Sequence, residues 1–234
     1  MSTKPYRLLV FDWDGTLMDS ANKISSCFQA AARDCGLPVP ERKLVEIQIG
    51  LSLEKAWVNI FRALDVPDNA ALVERVTHRY RDYFLDIDQT PMPLYEDVVE
   101  GIQQLDQSGY LLAIATGKAR RGLQRALLET ELEKNFVYSR CVDEAYSKPH
   151  PKMLLDILDY CGCEPEQALM IGDTSYDMEM AANAGVDGLA VTYGVHPESQ
   201  LRPLASRGCV ASFSAVMDFF DSNEKPRLFE AKPG

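Results

Sequence analysis

The chain has 234 residues, 46% hydrophobic and 25% charged, which is ordinary for a globular protein and enough for a sizeable core without disulfides or a structural metal. Its net charge of −11 argues against a nucleic-acid partner, because binding a phosphate backbone needs clustered Lys and Arg; a small phosphorylated ligand in one local pocket stays possible. No apolar run approaches a bilayer span and no signal-peptide pattern opens the chain, so the expectation is a cytoplasmic protein with six reduced cysteines and no membrane partner.

Leu8-Leu9-Val10-Phe11 is an uninterrupted apolar run and predicts a short strand buried on both faces. Asp12, Trp13, Asp14 and Gly15 follow at once. Two acids at the end of a buried strand repel each other unless something offsets their charge. A divalent metal would do so, as would chemistry needing one carboxylate as nucleophile and another as proton carrier. A surface loop whose Asp caps the next helix is the plainer alternative.

Helical spacing then dominates. Ile24, Phe28, Ala31 and Cys35 predict a helix capped at Asp19 or Ser20 and ended by Gly36. Further helices are expected over 41–48, 53–64 and 69–85, with a turn at Gly50-Leu51-Ser52. Nothing from 20 to 88 alternates like a strand, so residues 19–88 read as an all-helical domain inserted into an α/β core made of 1–18 and 89–222. Thr90 to Tyr95 would be the return strand of the hinge. Helices are expected over 96–108, 118–129, 151–161, 175–184 and 213–221. Strands are expected over 110–115, 136–138, 168–171 and 186–191. This alternation implies a Rossmann-like, mostly parallel sheet with helices on both faces. Residues 223–234 are polar and aperiodic and read as a loose tail.

Ligands of a parallel sheet sit outside the carboxyl ends of its strands. Asp12 and Asp14 follow the first strand, Thr116 and Gly117 the second, and Asp173 the 168–171 strand, with Asp177 one turn on. Lys148 precedes the helix that starts near Pro149–Pro151. Each has a bland reading: Thr116 as a helix cap, Lys148 as a solvated lysine, Asp173 and Asp177 as favourable helix-start charges. Together, four carboxylates, a hydroxyl and an ammonium group suit a metal-assisted phosphate site.

Four segments, Asp12-Trp13-Asp14-Gly15-Thr16-Leu17, Ala115-Thr116-Gly117, Ser147-Lys148-Pro149 and Gly172-Asp173-Thr174-Ser175-Tyr176-Asp177, resemble in order the motifs of the haloacid dehalogenase superfamily. The likeness covers about residues 6 to 195 and is nearest to phosphoglycolate-phosphatase-like members with a small helical cap. It implies that Asp12 attacks phosphorus, Asp14 carries the proton, and Thr116, Gly117 and Lys148 bind the phosphoryl group. It also implies Mg²⁺ held by Asp12, the Asp14 carbonyl and Asp173, with Asp177 binding through water or orienting Lys148. Asp14, two residues past the nucleophile, points to phosphate esters rather than halides. Gly50 and Ser52 in the cap turn are candidates for substrate contact, or an ordinary turn; Lys55 and Arg62 could bind a second acidic group. His78, His150 and His196 lie at no family catalytic position. The implied protein is a monomeric or homodimeric phosphatase acting on a small phosphorylated metabolite, phosphoglycolate first. A sugar-phosphate mutase and a pyrophosphatase are the alternatives within the family, and a non-catalytic module the alternative outside it.

Overall fold

The computed structural model describes residues 6–67 and 69–221, so the expected tail lies outside the described residues. Among the described residues, six parallel strands form one sheet in the order β3-β2-β1-β4-β5-β6. They are β1 Leu8–Phe11, β2 Leu111–Thr116, β3 Tyr138–Cys141, β4 Ala168–Gly172, β5 Asp187–Val191 and β6 Cys209–Val210.

Successive strand side chains point to opposite faces, and both faces here are apolar. Leu9, Phe11, Leu112, Ile114, Leu169 and Ile171 meet the helices α5 (Val98–Gln107), α6 (Arg120–Thr130) and α10 (Phe213–Asp221) in one cluster. Leu8, Val10, Ala113, Ala115, Ala168 and Met170 meet α7 (Lys152–Cys161) and α8 (Ser175–Ala184) in another. The helices α1 (Ala21–Asp34), α2 (Arg42–Glu46), α3 (Leu53–Ala63) and α4 (Ala70–Asp82) surround a third cluster of their own. Its centre is aromatic: the Phe28 ring lies 4.6 Å from Trp57 and 4.7 Å from Tyr80.

Several local expectations need correction. The third strand is Tyr138–Cys141, not 136–138, because a 3₁₀ turn over Glu133–Asn135 delays the chain and Tyr138 is the residue that pairs with Ala113. The expected 118–129 helix starts at Arg120, whose N–H donates to the Asp143 carboxylate at 3.0 Å, while Lys118 still belongs to the strand-tip turn. The 41–48 helix is shorter, Arg42–Glu46, and unwinds into the turn before Gly50. The expected 69–85 helix is α4, capped by the Asn69 side chain, and after Asp82 it widens into a π-helical turn over Tyr83–Ile87. Residues 90–95 form no strand; Leu94 makes a single bridge to Met18. A one-turn helix α9 (Glu198–Leu201) and the two-residue strand β6 were not expected.

Trp57 is fully buried among Phe28 and Phe61. Trp57→Ala should lower the urea-unfolding free energy by about 3–5 kcal/mol. A loss under about 1 kcal/mol would contradict this packing.

Candidate active site

The register decides what meets at the strand tips. Phe11 pairs with Ile171, so the residues after β1 and β4 emerge side by side, and the Asp12 N–H donates to the Ile171 carbonyl at 2.9 Å. Asp12, Asp173 and Asp177 each offer a carboxylate oxygen, all within 4.8 Å of one another and all buried. Asp177 is fixed by the start of α8: its Oδ2 accepts from the Thr174 N–H at 3.0 Å and hydroxyl at 2.6 Å. Asp173 accepts from the Thr16 hydroxyl at 2.8 Å and the Val195 N–H at 2.9 Å. The Thr16 carbonyl in turn accepts from the Tyr193 hydroxyl at 2.8 Å. Gly15, with φ +88°, leaves room for this; a Cβ there would lie 2.2 Å from Asp173 Oδ2.

Lys148 is the counterion. Its Nζ lies 2.8 Å from Asp12 Oδ1 and 2.6 Å from Asp177 Oδ1, with no solvent exposure. The reading of Lys148 as solvated is therefore excluded. Of the two roles open for Asp177, the geometry displays contact with Lys148. Burial alone would push the Lys148 pKa down, but the Asp12 and Asp177 charges outweigh it and the net shift is upward. Burial raises the Asp12 carboxyl well above its ordinary value; Lys148 opposes that, while Asp177 and Asp173 add to it. Burial, then the Asp177 charge, raises Asp173 to about 7.

One ammonium group against three buried carboxylates leaves negative charge uncompensated. Asp12 Oδ2 is buried and accepts no hydrogen bond, and the Asp14 carbonyl accepts none among the described residues. These oxygens, with Asp173, are the hard donors a small divalent cation selects, so the residues present fit one.

Thr116 ends β2, and its hydroxyl accepts from the Lys118 N–H at 3.1 Å. It does not cap α6, where Ala119 holds that position. Gly117 sits against the turn of the helical block: a Cβ there would lie 2.5 Å from the Gly50 carbonyl oxygen. The Asp14 carboxylate pairs with Lys118 Nζ at 2.9 and 3.0 Å. Sequence reasoning missed Lys118, although it stands two residues past Thr116 at the same strand tip. Asp12, Asp14, Thr116, Gly117, Lys118 and Gly50 all border one chamber of about 420 Å³. Ser52 does not border it; its hydroxyl caps α3 by accepting from the Lys55 N–H, and its own N–H donates to Ser147 Oγ at 3.0 Å. Lys55 reaches the Lys148 carbonyl at 3.4 Å rather than the chamber, and Arg62 is exposed. His196 is buried, accepting from the Ser175 N–H and donating to the Ile47 carbonyl.

Comparison with known proteins identifies the family. Residues 9–191 match the family model described as haloacid dehalogenase-like hydrolase. The chain belongs to that family. It is 37% identical over 216 residues to the protein named "Probable phosphatase IndB" of Dickeya dadantii, covering 90% of this chain and 91% of that one. It is 32% identical to a phosphoglycolate phosphatase of Aliivibrio fischeri, over 80% of this chain and 85% of the relative. It is 31% identical to the pyrophosphatase PpaX of Bacillus cereus, over 79% and 82%. A haloacid dehalogenase-like hydrolase of Bacteroides fragilis shares the fold at a TM-score of 0.84, with 23% identity over 90% of this chain and 99% of the other. As a haloacid dehalogenase-like phosphatase, the chain is a phosphoric monoester hydrolase.

The raised Asp173 carboxyl sets a pH dependence for the metal-free hydrolase. A carboxyl moved from its ordinary 3.8 to about 7 takes up a proton on folding. Its contribution to stability is full at low pH and is lost as pH rises from about 4 to about 7. In EDTA at pH 8, Asp173→Asn should therefore melt above the unsubstituted protein, with the gap closing toward pH 4; the Thr16 hydroxyl can rotate to accept from the new amide. Identical melting curves at both pH values would contradict the assignment.

Proposed function

We propose that this hydrolase cleaves a small phosphomonoester with Mg²⁺ through an aspartyl-phosphate on Asp12. The observation that carries the reading is the state of the Asp12 carboxylate. One oxygen is paired with Lys148, the other is buried without a partner among the described residues, and the residue borders the chamber. A carboxylate is a weak nucleophile, and its aim and charge must both be controlled. Lys148 and the hydrogen bond from the Trp13 N–H to Oδ1, 2.7 Å, hold its aim.

In this reading Asp12 forms the bond to phosphorus as the leaving oxygen departs. The Asp14 carboxyl gives that oxygen a proton, then takes one from the water that opens the aspartyl-phosphate. Lys118 positions Asp14. The Thr116 hydroxyl and the Gly117 N–H bind phosphoryl oxygens, where positioning and charge compensation dominate the rate. Asp177 holds Lys148 against Asp12. Asp12, the Asp14 carbonyl and Asp173 would hold the ion, whose contribution when bound is to neutralise charge on the phosphoryl oxygens and on Asp12. Helices α1–α4 act as a cap over the chamber, excluding bulk water while the leaving group departs.

Release of inorganic phosphate from a generic aryl phosphate tests the reading. Asp12→Asn should lower turnover by at least about a thousandfold while circular dichroism stays unchanged, and EDTA should abolish it. Phosphate release without added sugar bisphosphate would favour hydrolysis over mutase chemistry. Turnover at the unsubstituted level in Asp12→Asn would end the proposal.

A further inference from the structure

The chamber is built from two unlike parts. The sheet contributes Asp12, Asp14, Thr116, Gly117 and Lys118, all polar or backbone donors. The helical block contributes Gln48 and Arg81 but otherwise mainly apolar groups, among them the rings of Phe28, Tyr80 and Phe84. At about 420 Å³ the space lies within the roughly 300–1,000 Å³ typical of pockets for small organic ligands. Glycolate or a second phosphate would leave much of this apolar wall against water, and Arg81, the charged side chain the block brings to the chamber, is already paired with Glu54 at 3.4 Å.

The wall also has a direction. Lys118, the partner of the Asp14 carboxylate, lies over the Phe84 ring at 4.8 Å from its centre. A leaving oxygen protonated by Asp14 therefore has Phe84 one side chain away. Phe84 is itself stacked on Tyr80, with ring centres 5.6 Å apart and planes 21° apart. The π-helical turn over Tyr83–Ile87 brings Phe84 and the next residue, Leu85, to the same chamber. Tyr80 is buried, yet it makes no hydrogen bond to any described residue.

We infer, resting on the hydrolase reading above, that the substrate is a phosphomonoester whose alcohol carries a planar, mainly apolar ring, and that Phe84 selects it. The ring lies against the Tyr80–Phe84 stack, where offset aromatic contact adds to burial. The Tyr80 hydroxyl is free to engage one polar group on that ring. The ester oxygen stays beside Asp14, and the phosphoryl group faces Asp12.

Benzyl phosphate, ethyl phosphate and phosphoglycolate all leave as primary alcohols, so comparing them separates ring recognition from leaving-group chemistry. With saturating Mg²⁺, kcat/KM for benzyl phosphate should exceed that for ethyl phosphate and for phosphoglycolate by at least about tenfold, carried by KM. Phe84→Ala should bring the benzyl-to-ethyl ratio close to unity, and Phe84→Trp should keep it. Hydrolysis of phosphoglycolate or pyrophosphate as efficiently as benzyl phosphate would overturn this inference and leave the hydrolase reading standing. So would a ratio unmoved by Phe84→Ala. An enzyme that hydrolyses none of these esters would overturn both.

Discussion

Three carboxylates are buried around one ammonium group at the tips of two adjacent strands, and the rest of the molecule is arranged to tolerate that. Asp12, Asp173 and Asp177 would repel one another in a low-dielectric interior, and the loss of Lys148 would leave Asp12 and Asp177 without their cation. The surroundings answer with fixed donors: the Thr16 hydroxyl and Val195 N–H on Asp173, and Thr174 on Asp177. Gly15 makes room where any side chain would collide with Asp173. A polar cluster this concentrated is a poor way to gain stability, and buried groups with perturbed pKa values gather at sites that do chemistry.

The helical block meets the sheet through the same residues. The Gly50 carbonyl lies against Gly117, Ser52 donates to Ser147, and Lys55 reaches the Lys148 carbonyl. The Ile47 carbonyl accepts from both the Tyr176 hydroxyl and His196 Nε2, side chains at the start of α8 and just past β5. Motion of the block relative to the sheet would thus be felt directly at the phosphoryl end. The two chain crossings run side by side: Asp19 N–H donates to Pro93, and Tyr95 N–H to Leu17. Paired short connections of this kind suit a hinge.

What could be read from sequence followed signal strength. The β1 and β4 runs are apolar at every position, so their strand character and the acids beyond them stood out. β3 reads Tyr-Ser-Arg-Cys, an edge strand with no apolar run, and its register came only from pairing with β2. β6 has two residues and α9 four, too short for any periodicity. Lys118 stands at the start of the expected 118–129 helix with nothing in the sequence to single it out; only the fold brings it to Asp14, 104 positions earlier. Ser52 reads from sequence either as a substrate contact or as part of an ordinary turn, and its hydroxyl is committed to capping α3. The π turn that presents Phe84 had no sequence signature, because a widened turn keeps the composition of a helix.

The central claim is that the Asp12 carboxylate is where phosphorus becomes attached. Rapid acid quench during turnover, followed by borohydride reduction, converts a phosphorylated aspartate to homoserine, which peptide mass spectrometry then locates. The account predicts homoserine at position 12 alone. Its absence there, or its appearance at 14, 173 or 177 instead, would contradict the account.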